Sequence, residues 1–141
     1  LKNILLVILS TFCLGSFAQS EKLAGNYNLS IETENASFTY TLILQQDGTF
    51  TFHSYSNQKQ AIPPESNTYG KGTWTSEKNI ITFSANPNID FNEKHTLDFN
   101  NSKARFISKS PRDKSDKVVK TRLQFYKSDI FWMERKELLK Q

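Results

Sequence analysis

Apolar and polar side chains alternate with a period of two along nearly the whole chain beyond residue 25, and no useful helical spacing interrupts them before the last few residues. Strands with one buried and one wet face produce this pattern. Tyr27, Leu29 and Ile31 form one face of a first strand; Asn26, Asn28 and Ser30 form the other. Phe38, Tyr40, Leu42 and Leu44 follow in a second strand, then Phe50 and Phe52 in a third. A three-residue loop, Gln46-Asp47-Gly48, sets Leu44 opposite Phe50 and Leu42 opposite Phe52, whereas a two-residue turn would put apolar and polar side chains on one face. Gly48 takes the left-handed position of that loop.

The same test orders the rest. Trp74 shares a face with Ile81 and Phe83 across a turn at Glu77-Lys78-Asn79. His95, Leu97 and Phe99 make the inward row of another strand, and an Asn100-Asn101 turn sets Leu97 opposite Ala104, His95 opposite Phe106 and Asp98 beside Lys103. Val119, Leu123 and Phe125 alternate with Lys120, Arg122 and Gln124, and Lys127-Ser128-Asp129 reads as another tight turn. A last strand, Ile130 to Glu134, is apolar on both faces, so its register is left open. Roughly eight or nine short strands without a crossover helix make the fold class all-β, an up-and-down antiparallel meander closing into a small barrel. A two-sheet sandwich is the rival.

Strand parity then predicts an asymmetric molecule. Tight turns close one end, and the longer connections Glu32 to Ala36, Ser56 to Tyr69, Ala85 to Asn92 and Lys109 to Lys117 gather at the other. Leu44, Phe50, Trp74, Ile81, Phe99 and Phe125 would floor the barrel. Tyr40, Ser54, Gly70, Gly72, Ser84, His95, Ser108 and Thr121 would line an open mouth, with the Ser56 to Tyr69 segment and its Pro63-Pro64 pair as a lid. In that cup the expected ligand anchors are His95 and Tyr40, assisted by Ser54, Ser84, Ser108 and Thr121, and the guest is a small apolar or amphipathic molecule.

The first 18 residues have the form of an export signal. Lys2 is followed by the apolar run Ile4 to Leu14 and by Ser16-Phe17-Ala18, a small-x-small site, so cleavage is expected before Gln19. The run is shorter than the roughly 20 residues that span a bilayer. Cys13, the one cysteine, follows the bulky Phe12, which argues against lipidation there. The expectation is a secreted or periplasmic domain of residues 19 to 141. Nine of the chain's eleven Phe and both Trp fall in that domain and can build a core without disulfide or metal.

The chain carries a formal net charge of +4, unevenly distributed. Residues 21–93 are net acidic, and residues 94–141 strongly basic. Lys103, Arg105 and Lys109 share an outer face with Lys120 and Arg122, a basic patch that an anionic lipid or an acidic envelope protein would satisfy. Nucleic acid fits poorly, because the aromatics that would stack on bases point inward. His53 and His95 fall on opposite faces, and no nucleophile elbow, phosphate loop or calcium loop is present, so no catalysis, cofactor or metal is expected.

Leu42-Ile43-Leu44-Gln45-Gln46-Asp47-Gly48-Thr49-Phe50, then Gly70-Lys71-Gly72-Thr73-Trp74 and Ile80-Ile81-Thr82-Phe83, resemble the bacterial lipocalin-like barrels, NlpE-type amino-terminal domains among them. The resemblance covers about residues 25 to 84 and implies a barrel that binds something or signals by contact. The Cys-x-x-Cys pair of NlpE-type domains has no counterpart here. Two readings follow: a barrel with a small ligand at its open end, or a filled barrel that serves as a cell-envelope interaction module through its basic outer face and the two-faced strand Ile130 to Glu134.

Overall fold

A computed structural model describes residues 19–141, so the expected export signal and Cys13 lie outside the described residues. Eight antiparallel strands follow one another round a closed barrel, and the last pairs with the first. They are β1 (Gly25–Glu32), β2 (Ala36–Leu44), β3 (Thr49–Gln58), β4 (Glu65–Glu77), β5 (Ile80–Ser84), β6 (Lys103–Ile107), β7 (Arg122–Lys127) and β8 (Glu137–Lys140). The all-β meander is as expected, and the alternation does select the interior: Tyr27, Tyr40, Leu42, Leu44, Phe50, Phe52 and Trp74 are all buried. Leu44 pairs with Phe50 and Leu42 with Phe52, around a Gly48 with φ of 87°. Asp47 Oδ1 accepts from both Thr49 N (2.8 Å) and Thr49 Oγ1 (2.6 Å), which holds that loop shut.

Connections depart from expectation in five places. Thr33 to Asn35 is a short turn between β1 and β2, where Thr33 and Ala36 exchange hydrogen bonds. Most of the Ser56 to Tyr69 "lid" is paired strand, with Ser56 opposite Ser66 and Asn57 opposite Glu65, leaving residues 59–64 as the loop. Backbone pairing needs no apolar side chain, so the alternation was silent there. Glu77 pairs directly with Ile80, and the left-handed Lys78 (φ 48°) and Asn79 (φ 65°) form a two-residue turn suited to the sheet's twist. His95 to Phe99 is no strand; it belongs to a connection running from Ala85 to Ser102, which includes a short helix at Pro87–Asp90. The tight turn expected at Lys127-Ser128-Asp129 is instead the start of a connection over 128–136, and the last strand is β8, not Ile130 to Glu134.

Subtracting one strand reverses the direction of everything after it. β6 therefore runs toward the Gly48 end, and the connection over 108–121 lies there, while residues 33–35, 59–64, 85–102 and 128–136 lie at the opposite end, here called the Phe131 end. Extended connections thus occupy both ends. The expected separation into one sealed end and one open cup does not occur.

Candidate functional site

Both ends of the barrel are filled. At the Gly48 end a helical turn over 19–23 tucks Leu23, fully buried, beneath the strands. Tyr27 donates its hydroxyl proton to the Leu23 carbonyl at 2.5 Å, and burial pushes that phenol far above its ordinary pKa. Lys140 Nζ donates to the Lys22 carbonyl at 2.8 Å, and burial depresses its pKa.

At the Phe131 end the two long connections dip into the barrel. Phe99, fully buried, reaches the rings of Phe52 (4.9 Å), Phe50 (5.3 Å) and Phe83 (5.9 Å). Trp132 packs on Tyr40 at 5.7 Å and Phe52 at 6.1 Å, flanked by buried Ile130 and Met133. Gly70 and Gly72, expected to leave room for a guest, instead admit parts of the chain itself. A Cβ on Gly70 would stand 2.8 Å from Phe99 Cε2, and one on Gly72 only 2.1 Å from the Ser84 carbonyl oxygen. Full burial of a side chain the size of Phe99 contributes about 2–3 kcal/mol, which a guest in its place would have to match.

The expected ligand anchors are not brought together. Tyr40 and Ser54 do face each other across β2 and β3, but Tyr40 is buried, lies beneath Trp132 and has Lys136 Nζ 4.5 Å above its ring. Desolvation raises the Tyr40 pKa and lowers that of Lys136. Ser84 is exposed, since it alternates with buried Phe83, and so faces outward rather than inward. Ser108 and Thr121 flank the connection at the Gly48 end, and the Thr121 carbonyl accepts from Lys140 N. His95 is on the outside as well, because the segment carrying it crosses an edge instead of running as a strand.

That crossing has a clear cause. Along β4, β5 covers only Thr73 to Glu77, so one edge of β4 is left open near Tyr69. The Tyr69 carbonyl accepts from Thr96 N at 3.0 Å and Leu97 N at 3.1 Å, and His95 bridges Tyr69 in parallel. The chain passes there from outside, at His95, to inside, at Phe99.

Outside the edge, side chains cluster around the Tyr69 ring. His53 stacks on it at 4.5 Å and 9°, with Nε2 2.8 Å from Asn67 Oδ1. His95 meets its edge at 6.1 Å, and Lys94 Nζ stands 4.6 Å from its centre. Asn92 Oδ1 accepts from Lys94 N (2.9 Å), His95 N (2.8 Å) and His95 Nδ1 (3.1 Å), so Nδ1 bears the proton of the neutral ring. The His95 pKa is lowered, first by partial burial and then by the charges of Lys71 and Lys94. Sequence parity placed the two histidines on opposite faces; the structure puts both beside one tyrosine.

The basic residues are split. Lys103, Arg105 and Arg122 do occupy adjacent β6 and β7, but Arg122 Nε lies 3.1 Å from Glu137 Oε2 and Arg105 lies over the Tyr126 ring at 5.3 Å. Lys109 and Lys120 belong to the connection at the Gly48 end, and Lys109 Nζ donates to the Ser115 carbonyl. Among the described residues no group of three or more His, Cys, Asp or Glu could hold a metal ion, and no helix is long and apolar enough to cross a membrane.

Exposed apolar side chains concentrate at the Phe131 end, with Val118, 85% exposed, standing alone on the connection at the Gly48 end. Each connection there, or the strand entering it, presents one: Ile31, Ile62, Ile89 and Phe131, of which Ile62 is 99% and Phe131 87% exposed. The two-faced run containing Phe131 stands out in the sequence, although it forms a connection and not the expected strand, whereas nothing in the alternation marks Ile62 or Ile89. The fold defines a closed, up-and-down, eight-stranded barrel with an aromatic core. No family model matches the chain, and neither a curated protein nor a solved structure is significantly similar to it.

Proposed function

We propose that this chain is an exported, lipocalin-like barrel that acts as a cell-envelope protein-interaction module, without catalysis, and that it docks its partner at the Phe131 end. The observation that carries this reading is the pairing of a filled interior with four exposed apolar tips, Ile31, Ile62, Ile89 and Phe131, all at one end. The partner is a protein whose apolar docking surface is bordered by cations. On the four connections at this end the carboxylates Glu34, Asp90, Glu93, Asp98, Asp129 and Glu134 outnumber Lys59, Lys94, Arg135 and Lys136. An anionic lipid leaflet would be repelled by that balance. A small apolar guest in the interior would have to displace Phe99 or Trp132.

Native mass spectrometry of the protein purified gently from its host tests the reading. The expected result is a stoichiometric protein complex that disappears on the joint change Ile62→Ser and Phe131→Ser while the variant keeps its fold. A small molecule retained reproducibly by the isolated barrel, with no protein partner, would overturn it.

A further inference from the structure

The outer face of β4 carries a feature that the docking end does not use. Lys71 and Tyr69 lie two residues apart on β4 and so share a face. Lys94 is held against the Tyr69 ring at 4.6 Å, and His95 meets the same ring at 6.1 Å. The charges of Lys71 and Lys94 both disfavour protonation of the imidazole. Asn92 clamps the backbone N–H groups of Lys94 and His95 together with Nδ1. His95 Nε2 is thereby left as the ring's free nitrogen, with no hydrogen-bond partner among the described residues. On the remaining side His53 stacks on Tyr69 and is itself bonded to Asn67. Glu93, exposed and adjacent in sequence, makes no ion pair with either lysine among the described residues.

We propose that Lys71, Lys94 and His95 form an oxyanion-binding site on the outside of the barrel, for a phosphate or sulfate group. The neutral imidazole offers only a lone pair at Nε2, which an anion does not want. Protonation turns Nε2 into a third charged donor beside two ammonium groups, a state that is disfavoured when the site is empty and favoured when an anion fills it. Proton and anion therefore bind cooperatively, and each strengthens the other by the same factor. Affinity rises as the medium becomes acidic.

Inorganic sulfate is the probe, because its charge stays constant across the range in which histidine titrates. Proton NMR of the His95 ring should show its pKa moving upward as sulfate replaces chloride at matched ionic strength. Sulfate affinity should rise by about threefold or more between pH 7.5 and 5.5, in proportion to that shift. Lys71→Gln and Lys94→Gln should each weaken sulfate binding at both pH values, and His95→Gln should abolish the pH dependence while leaving the weaker neutral-pH binding. All three positions are at least partly exposed, so the fold should survive each change. A His95 titration indifferent to sulfate, or an affinity that is flat with pH, overturns the proposal. Vesicles containing phosphatidylglycerol separate the sources: retention that sulfate competes away assigns the site to a lipid phosphate, and sulfate binding without retention assigns it to a soluble oxyanion. Ile62→Ser with Phe131→Ser should leave sulfate binding unchanged, which keeps this site distinguishable from the docking end.

Discussion

Ser102 Oγ and Ser128 Oγ meet at 2.8 Å, and this bond ties the two connections that fill the Phe131 end of the barrel. Ser102 is fully buried, and Ser128 Oγ also accepts from Ile130 N at 3.1 Å. Nearby, Asn101 Nδ2 donates to Asp129 Oδ2 at 2.8 Å, and Asn100 bonds both backbone groups of Ala85, closing the neck of the 85–102 connection. The aromatic plug is therefore held by a polar latch outside it.

Ser102→Ala removes one side of the latch and leaves Ser128 short of a partner in a partly buried place. The expected cost is about 1–2 kcal/mol in urea unfolding, and the double change with Ser128→Ala should cost less than the two single changes added together. Strict additivity would show that the two hydroxyls do not act as a pair.

Phe99→Ala should cost about 3–5 kcal/mol, because it deletes a ring that touches three others at the centre of the barrel. The hole left behind is lined by Phe50, Phe52 and Phe83 and should bind xenon or benzene, as dry apolar cavities do. Binding of the same probes by the unaltered protein would contradict the filled interior.

Gly72→Ala should be far more damaging than Gly70→Ala. At position 72 the added methyl meets a backbone carbonyl of Ser84 at 2.1 Å, so a strand must move. At position 70 it meets the edge of the Phe99 ring at 2.8 Å, and a side chain can give way. Overpacking of the second kind costs about 1–3 kcal/mol, and circular dichroism melts should separate the two variants clearly.

Stability should depend on pH in two windows. The His95 pKa is depressed in the folded state from 6.5, so the unfolded chain binds the extra proton more readily and stability declines as pH falls below that value. The carboxyls of Asp47 and Asp113 are held below their ordinary 3.8 by hydrogen bonds from Thr49 and Ser115, so their contributions are present above that value and fade as pH falls further. Thermal melts from pH 7.5 to 3 should show both declines, and His95→Gln should remove only the first. A melting temperature that rises on going from pH 7.5 to 5.5 would contradict the assignment of His95.

What the linear pattern settles is local. Leu44 opposite Phe50, the bulged loop at Gly48 and the burial of Trp74, Ile81 and Phe83 all follow from alternation and turn chemistry, because a pleated strand reports its own two faces whatever surrounds it. The same pattern cannot tell a strand from a plug. Leu97 and Phe99 alternate with polar neighbours as a strand would, and Ile130, Trp132 and Met133 are apolar enough to be one, yet both segments fill the barrel they were expected to wall. Whether such a segment pairs its backbone depends on a free strand edge, and that edge exists only once the barrel has closed. Its position fixes the direction of every later strand, the end at which each connection emerges, and the meeting of His53, Tyr69, Lys94 and His95 on one outer face. Local alternation thus determined the strands, and closure of the barrel in three dimensions decided which end of the molecule is filled, which is exposed and where its chemistry collects.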